Sequence, residues 1–175
     1  MIKLLKSFSV LFLFIKSLKS MENCPAISSS SSSSSFFQKI FSLPSHSRGC
    51  YLITSDVLSQ LPEIKTIEIG LLNLFLQHTS ASLCINENYD EDVKIDMETT
   101  LNRIVPEGKQ LYKHLMEGKD DMPAHVKSAL IGVSVIIPIT KGALNLGTWQ
   151  GIWLCEHRDA KNSRTIVATI QGKLY

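Results

Sequence analysis

Along residues 65–77 (KTIEIGLLNLFLQ) apolar positions first alternate with polar ones and then run together, as in a strand passing from a half-exposed to a buried setting. Ser134–Thr140 (SVIIPIT), Gln150–His157 (QGIWLCEH) and Arg164–Gln171 (RTIVATIQ) read as further strands joined by turns at Lys141-Gly142 and Lys161-Asn-Ser163, and Ser47–Thr54 (SRGCYLIT) as another. Within Tyr89–Val105, Val93, Met97, Leu101 and Ile104 recur at helical spacing, with acids near the start, Arg103 near the end and Pro106 closing the run. Met97 reads as core filler there. Ser55–Leu61 predicts a short capped helix closed by Pro62. Asp121-Met-Pro-Ala-His125 has the acid and proline of a helix start, so His125 falls in the first or second turn. Strands at both ends with helices between them predict an α+β domain built on a mostly antiparallel sheet or sandwich core.

Composition separates this domain, residues 36–175, from what precedes it. Residues 1–35 combine Lys3, Lys6, Lys16 and Lys19 with the apolar block Val10–Ile15 and an unbroken serine run from Ser28 to Ser35. They read as a disordered or cleavable extension. The apolar block is shorter than the roughly 20 residues that span a bilayer. It has the look of a short secretory core, the serine-rich basic segment that of an organelle transit peptide without arginine, and Met21 offers an alternative start. With 18 Lys+Arg against 16 Asp+Glu, scattered along the chain, the net charge of +2 gives no support to nucleic-acid binding. Cys24, Cys50, Cys84 and Cys155 form no CxxC pair and read as ordinary free thiols. That favours a reducing compartment, the cytoplasm or an organelle, over secretion.

Standard catalytic signatures are missing: there is no HExxH, phosphate loop, GxGxxG turn or GxSxG elbow. Among the 5 histidines, His78, His125 and His157 stand at predicted element ends, where a side chain leaves the core yet stays on rigid backbone. Spacing alone leaves a shared metal site and ordinary satisfied or surface histidines both open. His46 and His114 read as surface residues. Thr79, Ser80, Asn86, Glu87, Asp120, Asp121, Glu156 and Arg158 lie close to these histidines or to neighbouring strand ends. Carboxylates there could orient an imidazole and an arginine could grip a phosphate. Asp120-Asp121 reads equally as a helix cap. Gly147-Thr-Trp-Gln-Gly151 predicts either a pocket wall that needs close backbone approach or a tight hairpin with Trp149 as a core or interface anchor.

Four blocks taken together, His78-Thr-Ser-Ala-Ser-Leu, Asn86-Glu-Asn, Asp120-Asp-Met-Pro-Ala-His125 and Gly147-Thr-Trp-Gln-Gly-Ile-Trp-Leu-Cys-Glu-His-Arg158, closely resemble the YjbQ family, described as secondary thiamine-phosphate synthase enzymes. The resemblance runs from about Phe36 to Lys173 and includes Ser47-Arg-Gly and Ser163-Arg164. It implies an α+β subunit assembling as a homotrimer, with His78, His125 and His157 gathered at a metal site. The implied reaction couples a hydroxymethylpyrimidine diphosphate to a thiazole phosphate and expels pyrophosphate. Under that expectation Glu87, Asp121 and Arg158 are the catalytic candidates, and Thr79, Ser80, Asn86, Trp149, Gln150 and Arg164 the substrate-binding ones. The expected cofactor is a divalent ion, zinc on imidazole ligands, with Mg2+ an option for a diphosphate substrate. The expected partners are a small-molecule substrate and copies of the chain itself, with no nucleic acid and no membrane span. Two other readings compete: a metal-dependent hydrolase of a small phosphorylated substrate with Glu87 or Asp121 as general base, and a non-catalytic trimeric module that binds a metal or small ligand.

Overall fold

Period-two alternation in the longest strands sends one set of side chains inward, and two sheets close over them. The computed structural model describes residues 34–175, so the expectations for the extension lie almost wholly outside the described residues. A five-stranded sheet runs in the order β1-β8-β3-β5-β6, from Ser34–Ser42, Thr165–Leu174, Ile67–Leu76, Ser134–Thr140 and Ala143–Leu144. A three-stranded sheet runs β2-β7-β4, from Gly49–Leu52, Gln150–Glu156 and Ala81–Glu87. Every pairing is antiparallel. The expected α+β class with an antiparallel sandwich core is what the chain adopts.

The main core fills the space between the sheets, where Leu72, Leu74 and Leu76 of β3, Ile137 and Ile139 of β5 and Ile166, Ala168 and Ile170 of β8 meet Leu83, Ile152 and Leu154. Burying each of the larger aliphatic side chains contributes about 1.5–3 kcal/mol. Opposite parity on β7 sends Trp153 and Cys155 to the other face, where Cys50, Val93, Met97 and Ile131 form a second cluster beneath two helices. Those helices are α2, Glu91–Ile104, and α3, Asp121–Ile131; α1, Thr54–Gln60, and a 3-10 turn, Pro62–Thr66, link β2 to β3.

Local chemistry explains the helix ends unevenly. Asp90 caps α2 by accepting from the Asp92 amide at 2.9 Å. Neither α1 nor α3 has a side-chain cap. The capped reading of α1 and the capping reading of Asp120-Asp121 are thereby corrected: Asp120 spends its carboxylate elsewhere. Strand β1 is an element that the hydrophobic pattern did not reveal. It begins at Ser34, inside the serine run and two residues before the compositional boundary, and pairs along its whole length with β8.

Candidate functional site

One end of the sandwich gathers most of the sequence-predicted residues. The β3–β4 connection brings His78, Thr79 and Ser80; β7 exits through Glu156 into His157 and Arg158; α3 begins at Asp121; and Arg164 precedes β8. A polar cavity of about 510 Å³ opens there, lined by His78, Thr79, Ser80, His125, Arg158 and Arg164, and also by His114. A larger apolar cavity of about 930 Å³ adjoins it, walled by Phe75, Leu76, Ala129 and Val133. The two share His78, Thr79 and His125.

Asp121 is the hub of the polar cavity. Its fully buried carboxylate lies 2.7 Å from His114 Nε2 and 3.2 Å from His125 Nε2, and pairs through its other oxygen with Arg158. Arg158 also donates to Asp120 at 3.0 Å and to the Glu117 carbonyl at 2.7 Å, and Asp120 accepts from the Asp159 amide at 2.9 Å. Asp120 is partly desolvated, which opposes ionisation. The Asp159 amide and the Arg158 guanidinium outweigh that and hold it below the usual carboxylate range.

The hydrogen-bond network orients the histidine rings. His125 Nδ1 lies 3.0 Å from the Thr79 carbonyl, which can only accept, and 3.1 Å from Ser80 Oγ, which can donate or accept, so the far side of the ring is held in either tautomer. Nε2 faces an Asp121 carboxylate oxygen 3.2 Å away. A ring held through its far nitrogen by a backbone carbonyl is the arrangement that metal-ligating histidines use. His114 Nε2, Asp121 Oδ and His125 Nε2 lie within 4.8 Å of one another. Two imidazole nitrogens and one carboxylate oxygen suit zinc or a similar transition metal. A divalent ion would fit His114, Asp121 and His125, of which the sequence reading singles out His125 as a ligand.

His78 and His157 do not belong to that set. His78 Nδ1 accepts from the Ser80 amide at 2.9 Å, so its neutral ring carries the proton on Nε2 and is a donor, not a ligand. Partial burial, with Arg164 nearby, lowers its pKa and keeps it neutral. His157 shares strand parity with Trp153 and Cys155 and turns under the helices. It is buried, meets Ser82 Oγ at 2.7 Å through Nε2, and has no partner at Nδ1. Desolvation, with Lys127, Arg48 and Arg164 adding to it, drives its pKa down to about 3. His114, expected to be plain surface, takes its place in the cluster. His46, expected to be the same, stacks on Tyr51 at a centroid distance of 4.0 Å.

Glu87, Asn86, Trp149 and Gln150 stand at the far end of the same sheet, since β4 and β7 pair Glu87 with Gln150 at one end and Ala81 with Glu156 at the other. Six residues of strand separate Gln150 from Glu156, about 20 Å. Within one chain these four do not reach the histidines. Their bonds are local: Asn86 Oδ1 accepts from the Glu87 amide, the Glu87 carbonyl accepts from Trp153 Nε1, and Gln150 Oε1 closes the turn onto the Gly147 amide. Trp149 is 59% exposed and packs edge-on against Tyr89, so it is neither a core anchor nor a wall of the histidine cavity. Arg164 reaches the polar cavity, but its guanidinium is clamped by buried Glu156, Nε to Oε2 at 2.6 Å and Nη2 to Oε1 at 2.8 Å.

Fold and site define a class: a two-sheet α+β protein with a histidine–carboxylate centre where a polar and an apolar cavity meet. The chain belongs to the YjbQ family, matching the profile described as UPF0047 protein YjbQ-like over residues 39–173. It is 50% identical over 138 residues to the UPF0047 protein YjbQ of Escherichia coli O157:H7, covering 79% of this chain and 99% of that one. It is 39% identical over 120 residues to the UPF0047 protein YugU of Bacillus subtilis, covering 69% and 87% respectively. Among solved structures, an uncharacterised YjbQ/UPF0047 protein from Clostridium acetobutylicum superposes with a TM-score of 0.66 at 34% identity, over 75% of this chain and 98% of that one. A YbjQ-like protein of unknown function from Sulfolobus solfataricus superposes with a TM-score of 0.70 over 80% and 99%, and at 23% identity it speaks for the fold alone.

Proposed function

We propose that the chain is an enzyme of the secondary thiamine-phosphate synthase type, joining a hydroxymethylpyrimidine diphosphate to a thiazole phosphate with release of pyrophosphate. One observation carries this reading: the polar and apolar cavities share His78, Thr79 and His125, so two reactants can be held side by side against the same imidazoles. A condensation needs such adjoining subsites, because pre-paid positioning is a large part of its acceleration. Phe75, Leu76 and Val133 suit the flat face of a heteroaromatic ring. The neutral His78, donating from Nε2, suits the negative charge that develops on a departing diphosphate oxygen. Asp121 holds His114, His125 and Arg158 in one orientation. A divalent ion bound by His114, Asp121 and His125 would supply Lewis-acid stabilisation of the diphosphate; zinc suits that nitrogen-rich set, and magnesium would arrive with the substrate. Pyrophosphate release from the two precursors is the test. The wild-type chain is expected to release it, and His78→Gln and His125→Ala to lose about 10²–10⁴-fold in kcat/KM. No release above background with zinc or magnesium rejects the reading.

A second reading, a metal-dependent hydrolase of a small phosphorylated compound, is favoured by the donor set itself, since three protein ligands with an open position is the pattern of catalytic zinc. Incorporation of 18O from water into the product separates it from the transferase. Self-association, as a homotrimer, is supported by the outer face of the five-stranded sheet, which no element among the described residues covers and where Phe36, Ile40, Leu71, Phe75 and Ile136 are exposed. Sedimentation equilibrium that finds a monomer at micromolar concentration would reject it. Among the described residues no helix is long and apolar enough to cross a membrane.

A further inference from the structure

Cys50, Cys84 and Cys155 lie on the helix-covered face of the three-stranded sheet, away from the candidate site. Cys50 faces Cys155 directly across β2 and β7, and Cys84 faces Trp153 across β4 and β7. The Sγ atoms of Cys50 and Cys155 are 3.4 Å apart. Just beyond β2, the Ile53 amide donates to the Ile152 carbonyl at 2.8 Å, which marks that pair as hydrogen-bonded. Alternation along the ladder then makes Cys50–Cys155 a non-hydrogen-bonded pair, the kind whose Cα atoms approach to about 4.5 Å. That is within the reach of a disulfide. Cys84 is diagonal to Cys155, about 7–8 Å away between Cα atoms. From Cys50 it is separated by the whole width of β7, roughly 10 Å. Of the pairings within this cluster, Cys50–Cys155 is the one whose members stand directly opposite each other on the ladder.

Access is also asymmetric. Cys50 is buried but lines a cavity of about 550 Å³ between β2 and α2, together with Tyr51, Glu91, Lys94 and Glu98, Cys84 is half-buried, and Cys155 is fully buried. Contacts with the Cys50 and Cys84 thiols, and then burial, hold Cys155 protonated, which suits it to the second step of an oxidation and not the first.

We propose that Cys50 and Cys155 form a reversible oxidation site, at which a peroxide entering this cavity converts the two thiols to an intrachain cross-strand disulfide. Cys50 Sγ attacks one peroxide oxygen, forming a sulfenic acid and releasing the other oxygen as water. Cys155 Sγ then displaces the sulfenic hydroxyl, which leaves as a second water with the Cys155 proton. Each sulfur gives up one electron and hydrogen peroxide takes both. The bond ties β2 to the strand that leads through Glu156 to Arg158 at the candidate site.

The test treats the full chain, with Cys24→Ser to remove the thiol outside the described residues, with hydrogen peroxide. Met116, 97% exposed, serves as the internal gauge of oxidant dose. At the dose that converts Met116 to its sulfoxide, alkylation followed by non-reducing peptide mapping is expected to recover a Cys50–Cys155 peptide with Cys84 alkylated. Dithiothreitol should restore both thiols. Cys50→Ser should abolish the linked peptide, and Cys84→Ala should leave it unchanged. Free Cys50 and Cys155 at full Met116 oxidation, or a linkage through Cys84, overturns the proposal.

Discussion

The Glu156–Arg164 clamp allows a quantitative test of how the site is held. Both side chains are buried, joined by two short bonds, and the remaining capacity of Glu156 Oε1 accepts the Arg158 amide at 3.0 Å. Glu156→Gln keeps the shape and removes the charge, leaving a guanidinium in the interior without a counter-ion. Removing one partner of such a pair costs about 3–5 kcal/mol, a large share of the roughly 5–15 kcal/mol that holds a domain folded. The melting temperature should fall by on the order of 10–20 °C. Urea unfolding should show an earlier midpoint at unchanged slope. The Glu68–Lys173 pair, at 2.5 Å but about half exposed at both ends, is the internal standard: Glu68→Gln should cost less than about 1 kcal/mol. The double variant Glu156→Leu/Arg164→Met should recover most of the loss, because an apolar pair needs no counter-charge. If Glu156→Gln costs no more than Glu68→Gln, the clamp does not hold this end of the sandwich and the reasoning fails.

Other consequences follow from the same geometry. With its pKa held down to about 3, His157 stays neutral in the folded chain while the unfolded chain takes up a proton below about 6.5. Its contribution is therefore complete above pH 6.5, declines by about 1.4 kcal/mol per pH unit as pH falls, and levels off below about 3. Urea midpoints at pH 7 and 4.5 should shift less in His157→Gln than in the wild type; equal shifts would exclude this origin. Gly70→Ala should cost about 1–3 kcal/mol, since a Cβ there would lie 2.4 Å from the Gln171 carbonyl oxygen. At Gly132, φ is +102° and nothing lies within 4 Å, so only backbone strain of about 1 kcal/mol is expected from Gly132→Ala. Equal loss of melting temperature in the two variants would argue against the clash. Zinc titration should show at least about 10-fold weaker binding in His114→Ala and little change in His157→Gln; the reverse order would dismantle the His114–Asp121–His125 cluster.

Where hydrophobic period and strand length agree, the fold was legible. Residues 134–140 and the core of 65–77 became β5 and β3, and Tyr89–Val105 became α2 within two residues at each end. Strand β1 was hidden because its first residues are serines continuous with a low-complexity run, and because an outer strand shows the core few side chains, Phe37 and Phe41 among them. In the site, His78 and His125 were legible as element ends opening on one cavity. His157 looked the same, but extending the alternation from Trp153 through Cys155 puts its ring on the helix side, information that one strand carries only once a neighbour such as Ala81 or Leu83 fixes which face is the core. His114 had no local signal. It lies between α2 and α3, and its role depends on Asp121 being buried, which no short window of sequence conveys. Glu87, Asn86, Trp149 and Gln150 fall at the other end of β4 and β7 within one chain, because a motif read along a strand does not tell which end of that strand meets the histidines.

The environment of Asp121 distinguishes this end of the sandwich from an ordinary polar rim. Its carboxylate is wholly removed from water, and two imidazoles and a guanidinium converge on it from a loop, its own helix and the exit of β7. An ionised group placed there costs several kcal/mol of desolvation, which such partners repay only in part, whereas well-packed apolar residues of similar volume would give an equal or more stable fold. Stability alone does not require the cluster, and the zinc titration of His114→Ala asks whether cation binding is what the three groups serve.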